Sequence, residues 1–353
     1  MLKKLDGKWL GVEENKVYCD DSRLFLKNPD DPRLSEDLKQ MSLLIQRVSK
    51  KRKYQSDLYN LITPLTCELH RYGIYADAIK FYNCILSLPH RALPINLEKV
   101  KSNFLFYKGH AYYSMGKRYW DKAKDCYEQS IKLNEKNLFA KHALAMIYHK
   151  QYDSLKALDL LDEITEANKE DLLAYKTKLE IYIDTGINLK RAREAYKAIK
   201  GLLKSNNLLP REAVSAEFPC IRFLVRLGKF FQEKGKYEKA EKRFQESIQQ
   251  FKDLIDRIPF GEHKLEAVIR NAYACFLYDI LGKRDDGITQ LKKAQKAWPK
   301  HVYSLHKLAT IYFEKAGIKS KERLRYIKKA KDFIDKALKI NSLQLQAIFH
   351  QAS

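Results

Sequence analysis

The sequence predicts an all-α fold made of repeated helix-turn-helix hairpins, and three observations carry that expectation. Among 353 residues there are only nine prolines and thirteen glycines, so breaks in a helical chain are few. Strand-like alternation of apolar and polar residues is nowhere sustained. A recurring pattern of small and large residues runs through most of the chain, clearest between Phe223 and Leu254.

In that stretch Leu227, Gly228 and Phe231 are followed by Gly235, Tyr237, Ala240, Phe244 and Ser247, which places two amphipathic helices around Lys234-Gly235-Lys236. Small residues (Gly228, Ala240, Ser247) fall where two helices approach closely, and large ones fill the space around them. The pattern resembles the tetratricopeptide repeat, a hairpin of about 34 residues that buries its apolar face only by stacking on neighbours.

The chain supplies those neighbours. A related unit contains Gly109, Tyr112, Gly116, Ala123, Tyr127 and Ser130, its turn lengthened by Lys117 to Trp120. The small residue opening each second helix falls at 78, 123, 157, 192, 240, 287 and 330. About seven units follow, near 58–88, 103–134, 138–168, 172–204, 221–254, 267–299 and 302–341, with a partial one from 343. Residues 53–353 thus read as one α-solenoid or superhelix, and 1–52 as an N-terminal linker and capping helix. Pro89 and Pro94, Leu208-Leu209-Pro210 with Phe218-Pro219, and Pro259-Phe260-Gly261 mark loops; a basic insert lies near Lys319 to Arg325. Ser35-Glu36-Asp37 opens a helix carrying Leu38, Met41, Ile45 and Val48, and Ser49-Lys50-Lys51-Arg52-Lys53 is a short basic cluster, read as a solvated helix turn rather than a localisation signal or phosphate contact.

No apolar run approaches the ~20 residues of a membrane helix, and Met1 to Trp9 lacks a signal-peptide core. Six cysteines are scattered without a Cys-x-x-Cys pair and read as reduced packing residues of a cytoplasmic protein. Formal net charge is 67 − 44 = +23. Pro219 to Ser353 carries 29 basic and 15 acidic residues, a difference of +14, so the C-terminal units hold most of the excess. Such a surface concentrates anionic partners, nucleic acid foremost, although lysines on a solvated surface are also its ordinary content.

No Gly-rich phosphate loop, His-Glu-x-x-His helix or Gly-x-Ser-x-Gly elbow occurs, so no enzyme, metal or cofactor is expected. Function is expected on the inner face, which the first helix of each unit lines. Helical periodicity points Phe106, His110 and Tyr113 inward, then His142, Met146 and His149, then Lys176, Glu180 and Ile183. Arg222, Arg226 and Lys229 follow on one stripe, then Phe276 and Asp279, and last His306, Thr310 and Phe313, with Lys307 alongside. Three cations on one stripe repel unless a carboxylate or an anionic ligand lies opposite. Glu233, four residues past Lys229, is one source of balance. A groove built for the C-terminal carboxylates of chaperones is set aside, because Thr63, Cys67, Tyr107, Phe139 and Ala143 hold the positions that need Lys and Asn.

Three stretches resemble a narrower group, the interferon-induced tetratricopeptide family of antiviral RNA binders. They are Lys108-Gly109 through Gly116, Tyr119, Lys122-Ala123-Lys124 and Glu128; Leu224 to Lys234; and His301 to Leu338 with its basic insert. The resemblance implies a basic tunnel holding the 5′ end of single-stranded RNA, with no reaction catalysed. This chain departs from that family's pocket: Ser114 and His149 stand where it has Lys and Arg, and Arg222, Val225 and Arg226 stand where it clusters an Arg with aromatic rings.

Two functions are therefore expected. The first is binding of single-stranded RNA, with or without a 5′-phosphate, in an antiviral defence role. Arg222, Arg226 and Lys229 would contact phosphate, with His110, His149, His306 and Lys307 as second contacts. The second is a protein-interaction scaffold taking an acidic peptide or partner helix. Neither involves a membrane, and self-association as a homo-oligomer stays open.

Overall fold

The structure, a computed structural model, describes residues 2–5, 8–13, 16–19, 75–87, 97–205, 208–318 and 322–350. It divides into two compact units, residues 1–169 and 170–353. The helix expected at 35–52, the basic cluster at 49–53, the first helix of the first repeat and the loop at Pro89 and Pro94 lie outside the described residues, as do 319–321 of the basic insert.

Unit 1 opens with an antiparallel three-stranded meander of β1 (Leu2–Leu5), β2 (Lys8–Glu13) and β3 (Lys16–Cys19), in register Leu5↔Lys8 and Glu13↔Lys16. These strands depart from the helical reading of the chain. They are four to six residues long, too short for alternation to show, and the cue was the Asp6-Gly7 dipeptide that two-residue hairpin links favour. Helices α1 (Tyr75–Leu86), α2 (Leu97–Ser114), α3 (Trp120–Leu133), α4 (Leu138–Lys150) and α5 (Ser154–Ala167) follow. The side chains of Asn137 and Asp153 cap α4 and α5 by accepting from the N–H of Ala140 and Lys156. The lengthened turn is a short 3₁₀ helix, Lys117–Tyr119. It brings Tyr119 onto Tyr112 and Trp120 onto Tyr113, with ring centroids 6.3 and 5.9 Å apart. A buried polar knot ties three helices: the Ser102 and Ser130 hydroxyls each donate to the other's carbonyl, at 2.8 and 2.7 Å, while Asn137 Nδ2 donates to both hydroxyl oxygens.

Unit 2 is four successive hairpins. They are α6 (Leu172–Thr185) with α7 (Leu189–Ser205), α8 (Pro210–Glu233) with α9 (Tyr237–Asp256), α10 (His263–Cys275) with α11 (Arg284–Ala297), and α12 (Val302–Ile318) with α13 (Arg323–His350). A π-helical turn, Phe276–Ile280, prolongs α10. Gly186 ends α6 and Gly235 turns α8 into α9, both in the left-handed region at φ 69° that a side chain resists.

Two sequence expectations change here. Leu208-Leu209-Pro210 and Phe218-Pro219 do not bracket a loop. Pro210 is the first residue of α8, where its missing N–H costs nothing, and Glu212 accepts from the Leu209 N–H. Pro219 sits buried inside that helix, held by packing despite the hydrogen bond it removes. The second change is at the C-terminus, where α13 runs unbroken through residues 341–343, the expected start of a partial repeat.

The small-to-large logic appears as contact. A Cβ placed on Gly109 would lie 2.6 Å from the Tyr127 ring, and one on Gly228 would strike the Phe244 ring. Phe244 and Phe251 in turn pack on Phe276, at centroid distances of 5.7 and 6.1 Å, joining the second hairpin of unit 2 to the third. Gly228→Ala is therefore expected to destabilise unit 2 by ~1–3 kcal/mol through overpacking. Chemical denaturation would show it, and pairing with Phe244→Leu should recover part of the loss.

In the last hairpin the buried His301 shares a 2.9 Å hydrogen bond between Nδ1 and the Ser304 hydroxyl, and Gln295 donates to the His301 carbonyl. Burial lowers its pKa to about 4. A depressed folded pKa means that this contribution is intact above the unfolded value of ~6.5 and drains away as pH falls toward 4. The wild-type stability curve is expected to drop over that window, and the His301→Gln curve to drop less.

Candidate functional site

The first helices of three successive hairpins in unit 2 enclose an open cavity of about 370 Å³. From α6 comes Ile183; from α8 come Arg222, Val225, Arg226 and Lys229; from α10 and its π turn come Ala272, Cys275, Phe276, Asp279 and Ile280; Phe251 of the second helix α9 also lines it. On α8 the spacing of 222, 225, 226 and 229 keeps four side chains on one stripe, because 3.6 residues complete a turn. The floor is apolar and the rim is charged.

The cations are not equivalent. Arg222 donates through Nη2 to Asp184 Oδ1 at 2.8 Å. That pair is partly exposed and contributes at most ~1 kcal/mol, but it takes up a large share of the Arg222 charge. Lys307 of α12 reaches Asp279 Oδ1 at 2.7 Å, with its ammonium 5.3 Å from the centroid of the Tyr278 ring. Among the described residues, Arg226 and Lys229 meet no carboxylate within ion-pair distance. The balancing carboxylate expected at Glu233 is not the one used; Asp184, 38 residues before Arg222, opposes the stripe instead.

Gly186 makes room for Arg226: a Cβ there would lie 2.9 Å from its Nη2. Along the π turn Phe276–Ile280, Tyr278 is buried while Asp279 is exposed and lines the cavity. The Tyr278 hydroxyl donates to Glu314 Oε2 at 2.9 Å, and burial first and then this bond raise its pKa to about 12. Gly186 falls in the repeat pattern of Leu179, Tyr182, Gly186 and Ala192, but its closeness to Arg226 and the π turn were not legible in the sequence.

The remaining candidate residues lie elsewhere. His306 is half-buried on α12, its pKa lowered by burial and then by Lys307. In unit 1, His110 of α2 lies 6.4 Å from the Phe106 ring, with a pKa lowered by burial, and His149 Nδ1 meets the Ser154 hydroxyl at 3.2 Å. Among the described residues no group of three His, Cys, Asp or Glu side chains is placed to hold a metal ion, and no helix is long and apolar enough to cross a membrane.

Neither a protein-family model nor a curated protein matches the sequence. Solved structures do match. A tetratricopeptide repeat protein from Parabacteroides merdae shares 16% identity over 80% of this chain and 93% of its own, with a TM-score of 0.53. The fold is that of tetratricopeptide repeats. A chain of the APC/C hetero-tetramer Cut9-Hcn1 aligns over 89% of this chain and 57% of its own, at 14% identity and a TM-score of 0.50. At these identities the likeness shows the repeat fold. These matches do not show the resemblance to the interferon-induced group.

Cys275 offers a reporter inside the cavity. Burial raises its thiol pKa to about 11; Lys307 works against that shift and Asp279 adds to it. Alkylation of Cys275 by iodoacetamide, followed peptide by peptide in a mass spectrometer, is expected to be slow at pH 7.5 and to accelerate steeply above pH 9. Asp279→Asn should move that profile to lower pH and Lys307→Gln to higher pH.

Proposed function

We propose that the chain is a non-catalytic protein-interaction scaffold, whose unit 2 groove takes an acidic segment of a partner anchored by one apolar side chain. The observation that carries this reading is the pairing of two cations that lack carboxylate partners, Arg226 and Lys229, with an apolar floor of Ile183, Val225 and Ile280. A cavity of about 370 Å³ suits one leucine- or phenylalanine-sized group. The carboxylates flanking it would meet Arg226 and Lys229, and Asp184 and Asp279 would hold Arg222 and Lys307 in place. Among structures of this fold, the Cut9-Hcn1 chain is itself described in an assembly of proteins.

Single-stranded RNA is the second reading, favoured by the net charge of +23 and by the Arg222, Arg226 and Lys229 stripe. It includes the 5′-phosphorylated end and the antiviral role that the interferon-induced resemblance implies. Arg222, Arg226 and Lys229 would be its phosphate contacts, with His110, His149, His306 and Lys307 as secondary ones. Asp184 and Asp279 count against it, because each places a carboxylate where a phosphodiester would run.

One titration separates the two. A fluorescein-labelled decapeptide of glutamates with a single central leucine, and a labelled 20-nucleotide single-stranded RNA, are each titrated with the chain at low salt. Peptide binding that falls about tenfold or more in Arg226→Glu/Lys229→Glu, and also when the leucine becomes serine, is expected. RNA binding whose affinity drops with salt at a slope of several phosphates, with no dependence on leucine in the peptide, would replace the first reading with the second.

A further inference from the structure

Helix α8 is longer than the first helices of its neighbours, 24 residues against 14 in α6 and 13 in α10. Its extra N-terminal turns form a ridge. One side of the ridge is core: Val214 is buried together with Leu254 of α9. The face next to it carries Arg211 and Ser215, and a cavity lies on each flank of them. The first, about 510 Å³, is bounded by Leu173 and Lys176 of α6, by Leu209 and by Glu212, whose carboxylate accepts from the Leu209 N–H. The second, about 530 Å³, is bounded by Lys264 and Val268 of α10 and by Trp298. Arg211 and Ser215 line both cavities.

Leu209 is 66% exposed, Leu173 45% and Val268 38%. Single exposed apolar residues are ordinary. Here they rim two adjoining cavities. The cations on this surface indicate what would cover it. Arg211 is engaged by Glu262 at 3.2 Å. Lys176 donates to the Ser215 hydroxyl at 2.8 Å, and Lys264 lies 5.6 Å from the centroid of the Trp298 ring. Among the described residues neither lysine meets a carboxylate within ion-pair distance, so one such cation stands in each cavity wall.

We infer that this ridge is a second docking surface, separate from the groove at Arg226 and Lys229, for an acidic amphipathic helix of a partner protein that places one large apolar side chain in each cavity. A helix such as α8 is ~10 Å across, so anchors straddling it lie about that far apart. On a partner helix rising 1.5 Å per residue, that separation corresponds to positions i and i+7. Carboxylates between the anchors meet Lys176 and Lys264. A second copy of this chain suits the surface less well, because two molecules of net charge +23 repel.

The probe is a fluorescein-labelled 18-residue helix-forming peptide of glutamate, alanine and glutamine with leucines at i and i+7, titrated against the full chain by fluorescence anisotropy. Leu209→Asp and Lys264→Glu are the variants. Aspartate is a favoured helix-capping residue, so Leu209→Asp preserves the start of α8 while removing the apolar rim. The expected result is binding that weakens about tenfold or more in each variant, and by a similar factor when one leucine is omitted. Excess unlabelled single-leucine decapeptide should not displace the probe. Absence of binding, or affinity unchanged in both variants, overturns the inference. Displacement by the decapeptide also overturns it while leaving the groove reading intact. Sedimentation showing self-association that Leu209→Asp abolishes would assign the ridge to a second copy and overturn it likewise.

Discussion

The close approach of two helices across a glycine is the constraint on which the rest depends. Where Gly109 faces Tyr127 and Gly228 faces Phe244, the ring of the second helix lies against the backbone of the first. No side chain larger than hydrogen leaves that space. The close approach sets how the two helices of a hairpin lie together, and so which residues of the first helix remain uncovered. On α8 the uncovered stripe is the one that carries Arg211, Ser215, Arg222, Arg226 and Lys229. Phe244 and Phe251 then seat Phe276 of the next hairpin, so the packing that shapes one hairpin also places the opposite wall of the groove.

The groove gains its character from a division of labour among charges. Asp184 and Asp279 each hold one cation, Arg222 and Lys307. Of those two cations, Arg222 lines the groove with its charge already opposed. Arg226 and Lys229 meet no carboxylate within ion-pair distance among the described residues, and apolar side chains lie beside them. Such a mixture favours a ligand with one apolar group and nearby carboxylates over a uniformly charged strand, because burying an apolar side chain contributes ~1.5–3 kcal/mol that a phosphate backbone does not bring.

Much of the repeat was legible in the chain itself. The lengthened turn at Lys117–Tyr119, the turn at Lys234-Gly235-Lys236 and the small residues Ala123 and Ala240 were all visible, because they are local and recur with a helical period. Prolines misled. Pro219 and Pro210 signal breaks by their chemistry, yet Pro210 starts α8 and Pro219 rides inside it, since Val214 and Leu254 bury that part of the hairpin whatever the local propensity. The short N-terminal strands were missed because four to six residues carry too little periodicity to read.

The sequence by itself determined the hairpins, their order and the stripe that bears Arg222, Arg226 and Lys229, because periodicity and residue size act over one or two helical turns. Tertiary structure alone decided which of those cations are already neutralised and where apolar cavities open beside them. Asp184 and Arg222, or Asp279 and Lys307, are 38 and 28 residues apart and share no local pattern. Their meeting is a consequence of how one hairpin packs on the next.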